Sequence, residues 1–269
     1  MLKTLFYVAV VAALTGTSVY AQSLDEAQRL FYNGRYEGSA AVALDVRTAD
    51  ADNLAASELR SSALLFQLKR LFGEFSNKDA STDKAWKACA ACPAIMSSFL
   101  AETAHGQAVA KARLAKDPAD ETALFFLGKL DLNYVWLELG TLGHKTGWSE
   151  YWEARKSLDA LLKRNPEHVR ARVSRAWIDY IVDTKMPRGT KWLLGGGNRK
   201  RGLLVVREAA QTEADFYVLA EAGFALWDMQ VREKQFTEAL TTARKLFREF
   251  PDNQELTRFI AQHDSTSTR

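Results

Sequence analysis

The chain has 269 residues, 47% of them hydrophobic, with 36 lysines and arginines set against 33 aspartates and glutamates. A net charge of +3 from interspersed residues argues against a nucleic-acid or membrane-surface polybasic function. Four scattered histidines, without a His-Glu-x-x-His or a second cysteine pair, hold no metal-binding spacing.

The N-terminus reads as a signal peptide over 1–21. Lys3 gives a positive start, Leu5 to Leu14 is a short apolar run, and Val19-Tyr20-Ala21 fits the small-x-small cleavage rule before Gln22. An apolar run of about ten residues falls short of the ~20 that span a bilayer, and no cysteine follows to carry a lipid. The expected mature chain is periplasmic or secreted and has no integral membrane segment. The folded domain is expected over 22–262, with a small, polar, disordered tail over 263–269.

Beyond Gln22 the pattern is helical almost throughout. Apolar residues recur at three and four in Leu24 to Phe31, around Leu59 to Phe72 and in Phe216 to Met229. Alternating β-branched runs are absent. Ser23 and Glu26 form a capping box, and Asn198 is placed to cap a helix beginning at Arg199. About twelve helices are expected, giving an all-α fold. Cys89-Ala-Ala-Cys92-Pro93 reads as a local disulfide, since an even cysteine pair in an exported chain is most simply bonded. Redox exchange is the alternative, but the βαβ setting of a thioredoxin-like protein is missing.

An internal repeat organises the middle and end of the chain. Gly106-x3-Ala110-x3-Leu114-x3-Pro118-x4-Ala123 recurs as Ala154-x3-Leu158-x3-Leu162-x3-Pro166-x4-Ala171 and as Ala239-x3-Ala243-x3-Phe247-x3-Pro251-x4-Leu256. A weaker copy runs from Gly202 through Val206, Ala210 and Ala214 to Leu219. Four-residue steps lie along one helix face, so a small residue admits a neighbouring helix and the next positions supply core. Proline ends that helix, with Asp117 or Asp120 to cap the next in the first copy. A helix pair of this kind buries its apolar face only by stacking.

Small-x3-apolar-x3-Leu-x3-Pro resembles the second helix and closing turn of the tetratricopeptide repeat (TPR) family. Phe31-Tyr32-Asn33-Gly34-Arg35-Tyr36 and Lys234-Gln235-Phe236-Thr237-Glu238-Ala239 resemble that family's inter-helix turn. The resemblance implies stacked helical hairpins and protein or peptide binding. A spacing of 48 residues departs from the ~34 of the regular repeat. The segment from Phe125 to Gly197 is also similar to exported bacterial repeat proteins.

The extra residues fall at 140–147 and 186–197, which are expected to be loops projecting from one edge of the stack. These loops and their flanks gather His144, Lys145, Trp148, Arg188, Lys191, Trp192, Asn198, Arg199, Lys200 and Arg201, the candidate binding residues. Glycines and a helix start suit an anion, and the tryptophans suit a sugar or peptide ring. Ordinary helix connectors would look the same. Paired carboxylates such as Asp120/Glu121 and Asp131/Glu138 read as caps and solvated faces, and the aromatics between Phe125 and Trp152 as packing between helices. No catalytic residue and no cofactor is indicated. The expected function is a non-catalytic envelope scaffold for a protein or peptide. The alternatives are a small-molecule or glycan receptor of the transporter-associated kind and, third, a Cys-x-x-Cys thiol-disulfide oxidoreductase. An open concave face would favour the scaffold, and a closed aromatic-lined cavity the receptor.

Overall fold

A computed structural model describes residues 23–75, 82–144, 146–186, 189 and 191–264; the expected signal peptide and cleavage site lie outside them. Twelve α-helices and no strand occur among the described residues. They are α1 (23–32), α2 (Tyr36–Ala49), α3 (Leu54–Phe75), α4 (Thr82–Ala88), α5 (Cys92–Lys116), α6 (Glu121–Val135) and α7 (Trp148–Arg164). Then come α8 (Val169–Lys185), α9 (Arg199–Ala209), α10 (Phe216–Arg232), α11 (Phe236–Glu249) and α12 (Gln254–Asp264). α12 thus runs two residues into the segment expected as a tail.

The helices form an array of stacked hairpins. α2, α5, α7, α9 and α11 are the second helices of pairs led by α1, α3, α6, α8 and α10, with the short α4 inserted ahead of α5. The small residues of the repeat mark the seams. A Cβ on Gly106 would lie 2.7 Å from a Leu130 methyl, and one on Gly202 would lie 2.8 Å from the Ala176 carbonyl oxygen. Between α6 and α7 the donor of space is on the first helix, where a Cβ on Gly128 would lie 2.9 Å from Leu158. Ala110, Ala154, Leu158, Val206, Ala239 and Ala243 are fully buried along these seams.

The proline-x4-apolar part of the repeat is a capping device. Asp120, His168 and Asn253 each stand two residues after the proline, and each side chain accepts the amide three residues further on, at Ala123, Ala171 and Leu256. The cap in the first copy is therefore Asp120, while Asp117 ends α5. The turn before α3 follows the same plan without proline, Asn53 accepting the Ala56 amide at 3.0 Å. A further repeat copy is therefore present from Ser39 through Ala43 to Ala56, which the missing proline hides in the sequence. Asn198 caps α9 as expected, accepting the Arg201 amide at 2.9 Å.

The two TPR-like turns also match. Gly34 and Lys234 both take positive φ (73° and 59°), and the next amide reaches back to Leu30 and Gln230 at 2.9 Å. This left-handed helix ending suits glycine, and Lys234 adopts it without one.

One expectation fails at 140–147. The helix does not break at Gly140 but continues as a π-helical segment, Trp136–Leu142, and only from Gly143 does the chain turn away. Gly140 serves this segment by leaving room for the Trp136 ring, which a Cβ would approach to 2.8 Å.

The ends of the array meet. Tyr32, at the end of α1, stacks on Tyr217 and Phe224 of α10 and meets Phe250 at a tilt, with ring centroids 6.2, 5.3 and 5.3 Å away. Polar bonds clip the same seam: Tyr217 Oη donates to the Asp25 carbonyl and Asn253 Nδ2 to the Tyr32 carbonyl, at 2.8 and 2.7 Å. Arg35 pairs with Asp252 at 2.7 Å. Five helix pairs thus close on themselves.

Candidate functional site

The face that the first helices turn inward carries a charged quartet. Glu58 (α3), Lys129 (α6), Arg170 (α8) and Glu221 (α10) come from four successive pairs. Lys129 Nζ lies 2.8 Å from Glu221 and 3.8 Å from Glu58, and Arg170 lies 2.5 Å from Glu221 and 3.5 Å from Glu58. Ser62 Oγ donates to Glu58 at 2.8 Å, and Asn133 donates to Ser62 at 3.0 Å. The Arg170 guanidinium sits 4.6 Å from the centre of the Phe125 ring and 5.7 Å from that of Phe126. Burial alone would raise Glu221, but Arg170 and Lys129 outweigh it and hold the carboxyl down to about 2. Burial would lower Lys129, and the two glutamates reverse that and raise it. Two cations thus balance two anions, with Glu58 buried and Lys129, Arg170 and Glu221 keeping 14–22% of their side chains exposed.

A second polar group lies between α5 and α7. Asp131, read in the sequence as part of a solvated face, is fully buried. It accepts from Gln107 at 2.6 Å through one oxygen, and its other oxygen has no hydrogen-bond partner among the described residues. Burial first, and then the charge of Glu153, pushes its carboxyl up to about 8. Glu138, read in the same way, is also mostly covered, and it accepts from His144 Nδ1 and Thr146 Oγ1 at 2.9 and 2.6 Å.

The candidate loops do come to one edge, around the start of α7. Tyr151 Oη donates to the Leu194 carbonyl at 2.8 Å, and Arg155 donates to the carbonyls of Leu194 and Gly195 at 3.0 and 2.7 Å. The second loop, folded as a 3-10 turn over Lys191–Leu194, is thereby fastened to the helix that the first loop leads into. Several candidate charges are taken up internally. Lys191 pairs with Asp183, the Arg199 amide donates to the other Asp183 oxygen at 2.9 Å, and Arg199 Nη1 lies 3.4 Å from Glu233. Asn198 is a cap, and His144 is held by Glu138. Trp148, Trp192, Lys200 and Arg201 remain exposed at the edge. Lys145 and Arg188 lie outside the described residues. The aromatic stretch divides accordingly: Phe125 and Phe126 are core, whereas Trp148 and Trp152 are exposed.

A groove of about 430 Å³ runs between α11 and α12 at the end of the array. Phe247, Ile260, Thr257 and Ala261 line it, with Arg244 and Arg248 along the α11 side. Cys89 and Cys92 are a close, buried pair in the turn between α4 and α5, with Cα atoms 5.4 Å apart.

No protein-family model matches the chain, and no curated protein matches it in sequence. Among solved structures it is similar to a thermophilic TPR protein of Thermus thermophilus, at 14% identity and a TM-score of 0.48, over 90% of this chain and 97% of that one.

Sequence reasoning missed the quartet and the closure. The signal for the quartet is a lone charge inside an apolar helix. Lys129 is the only charged residue between Glu121 and Asp131, and Glu221 the only one between Phe216 and Trp227.

Proposed function

We propose that this chain is an exported, non-catalytic helical scaffold that binds a protein partner in the cell envelope, and that it does so from its outer surface. The observation that carries this reading is the groove between α11 and α12. In the earlier pairs a second helix packs on the first, as α7 does on α6 and α9 on α8. The side chains of α12 share an apolar groove with Phe247 of α11. An amphipathic helix of the partner would fit there, with apolar residues at three and four and an acidic residue facing Arg248, since Arg244 already pairs with Asp264. Cys89 and Cys92 are read as a structural disulfide of the oxidising envelope.

The test is mass spectrometry of the mature chain recovered from envelope extract. A polypeptide is expected to co-purify, and to be lost with Arg248→Glu/Thr257→Glu, two exposed positions whose replacement leaves the core intact. Recovery of a small molecule or glycan in its place, or turnover in insulin-disulfide reduction, sinks the reading.

A further inference from the structure

Trp192 and Leu193 are 73% and 52% exposed, side by side on the 3-10 turn. Such exposure in a slack loop would mean little, but this turn is fixed. Three hydrogen bonds from Tyr151 and Arg155 hold its backbone from beneath. Gly195 and Gly196, at φ +75° and +76°, reverse the chain directly after it, and a Cβ on Gly195 would lie 2.7 Å from the Arg155 guanidinium carbon. The two apolar side chains are therefore held out from the edge. Trp148 and Trp152, 40% and 44% exposed, flank Tyr151 with ring centroids 6.4 and 5.3 Å from its own.

Charge along the second loop is one-sided, which the chain-wide balance conceals, although Glu138 and Glu150 lie on the first-loop side of the edge. The sequence from Thr184 to Arg201 contains no aspartate or glutamate. Asp183 and Glu233, reaching in from α8 and the end of α10, neutralise Lys191 and Arg199. Lys185, Lys200 and Arg201 are exposed and make no ion pair among the described residues.

We propose that this edge seats on an anionic lipid bilayer, with Trp192 and Leu193 entering the interface and Lys185, Lys200 and Arg201 facing the headgroups. A convex tip of tryptophan and leucine needs no matching pocket in a bilayer, and indole rings favour the headgroup level. Nearby cations add attraction to an anionic surface. Among the described residues no helix is long and apolar enough to cross a membrane, so the attachment is peripheral. It uses a different surface from the α11–α12 groove and stands whether or not a partner binds there.

Sedimentation of the mature chain with phosphatidylcholine vesicles, with and without phosphatidylglycerol, tests this. Binding is expected only where phosphatidylglycerol is present, with release at high salt and a blue shift of tryptophan emission. Trp192→Ala/Leu193→Ala and, separately, Lys200→Glu/Arg201→Glu are each expected to weaken binding at least tenfold while leaving thermal unfolding unchanged, since all four positions are exposed. The proposal is overturned by a failure of the wild-type chain to bind phosphatidylglycerol vesicles. Equal binding by the Trp192/Leu193 variant overturns it too, as does an edge that binds only an acidic polypeptide.

Discussion

Asp131 shows how one buried carboxyl sets a pH response. Its ordinary value when unfolded is near 3.9, and in the folded chain it stands at about 8. The folded state therefore holds the proton across the interval between, so the stability it contributes is complete below about pH 4 and is lost as pH rises towards 8. The groups facing it are Gln107 and Lys111 from α5 and Glu150 and Glu153 from α7; the two glutamates raise it, and Gln107 and Lys111 oppose them. Asp131→Asn keeps the shape and removes the titration. Urea unfolding at pH 9 should show the variant more stable than wild type by roughly 1–3 kcal/mol, with a difference under about 1 kcal/mol at pH 5. A pH-independent difference would mean that Asp131 does not titrate in this range. The sequence did hold a hint of its burial. Leu124, Leu127 and Asp131 are spaced three and four apart, on one face of α6, and two of them are plainly core.

Elements were legible where their chemistry is local. A proline, a cap two residues on and a buried amide partner at the fifth all fall within one turn, so the repeat shows in the sequence and the structure explains its spacing. Where one part was replaced, as at Ala51, the copy went unseen. The quartet was not legible, because Glu58, Lys129, Arg170 and Glu221 meet only after four pairs have stacked. Their energetics are those of a buried network. Removing one member strands its partner, whereas removing a complementary pair does not. Arg170→Met alone should cost about 3–5 kcal/mol in denaturant unfolding. Arg170→Met with Glu221→Leu should cost clearly less than the two single changes added together. Simple additivity would show that the four charges act independently. Glu221 also has a pH signature of opposite sense to that of Asp131. Its folded carboxyl lies well below the ordinary value, so its contribution is present above about pH 4.5 and is lost as pH falls towards 2. The loop edge was legible as a cluster of cations and tryptophans, but the carboxylates that claim Lys191 and Arg199 come from other helices and leave no local mark.

At the scale of the whole molecule, closure changes what kind of solid the array is. In an open stack each pair feels only its neighbours, and damage at one end stays there. Here Tyr32 ties the first pair to α10 and to the turn before α12. Tyr32→Ala should cost about 2–4 kcal/mol, and amide exchange should quicken in α10 and α12 as well as in α1. Tyr32→Phe, which keeps the ring, should behave as wild type. Exchange that quickens in α1 alone would show that the ends touch without supporting one another.

The same seam places a constraint on the order of events as the chain first takes shape. Phe224, Phe250 and Asn253 lie about two hundred positions beyond Tyr32, so in a chain emerging N-terminus first the opening hairpin appears long before the residues that complete it. Local stacking can run pair by pair at little entropic cost, but the final joint closes a loop almost as long as the protein. Until then both terminal faces stand uncovered, with Tyr32 on one and Phe224 and Phe250 on the other. That late intermediate is where chaperone capture, or exchange of ends between two molecules, would compete with completion.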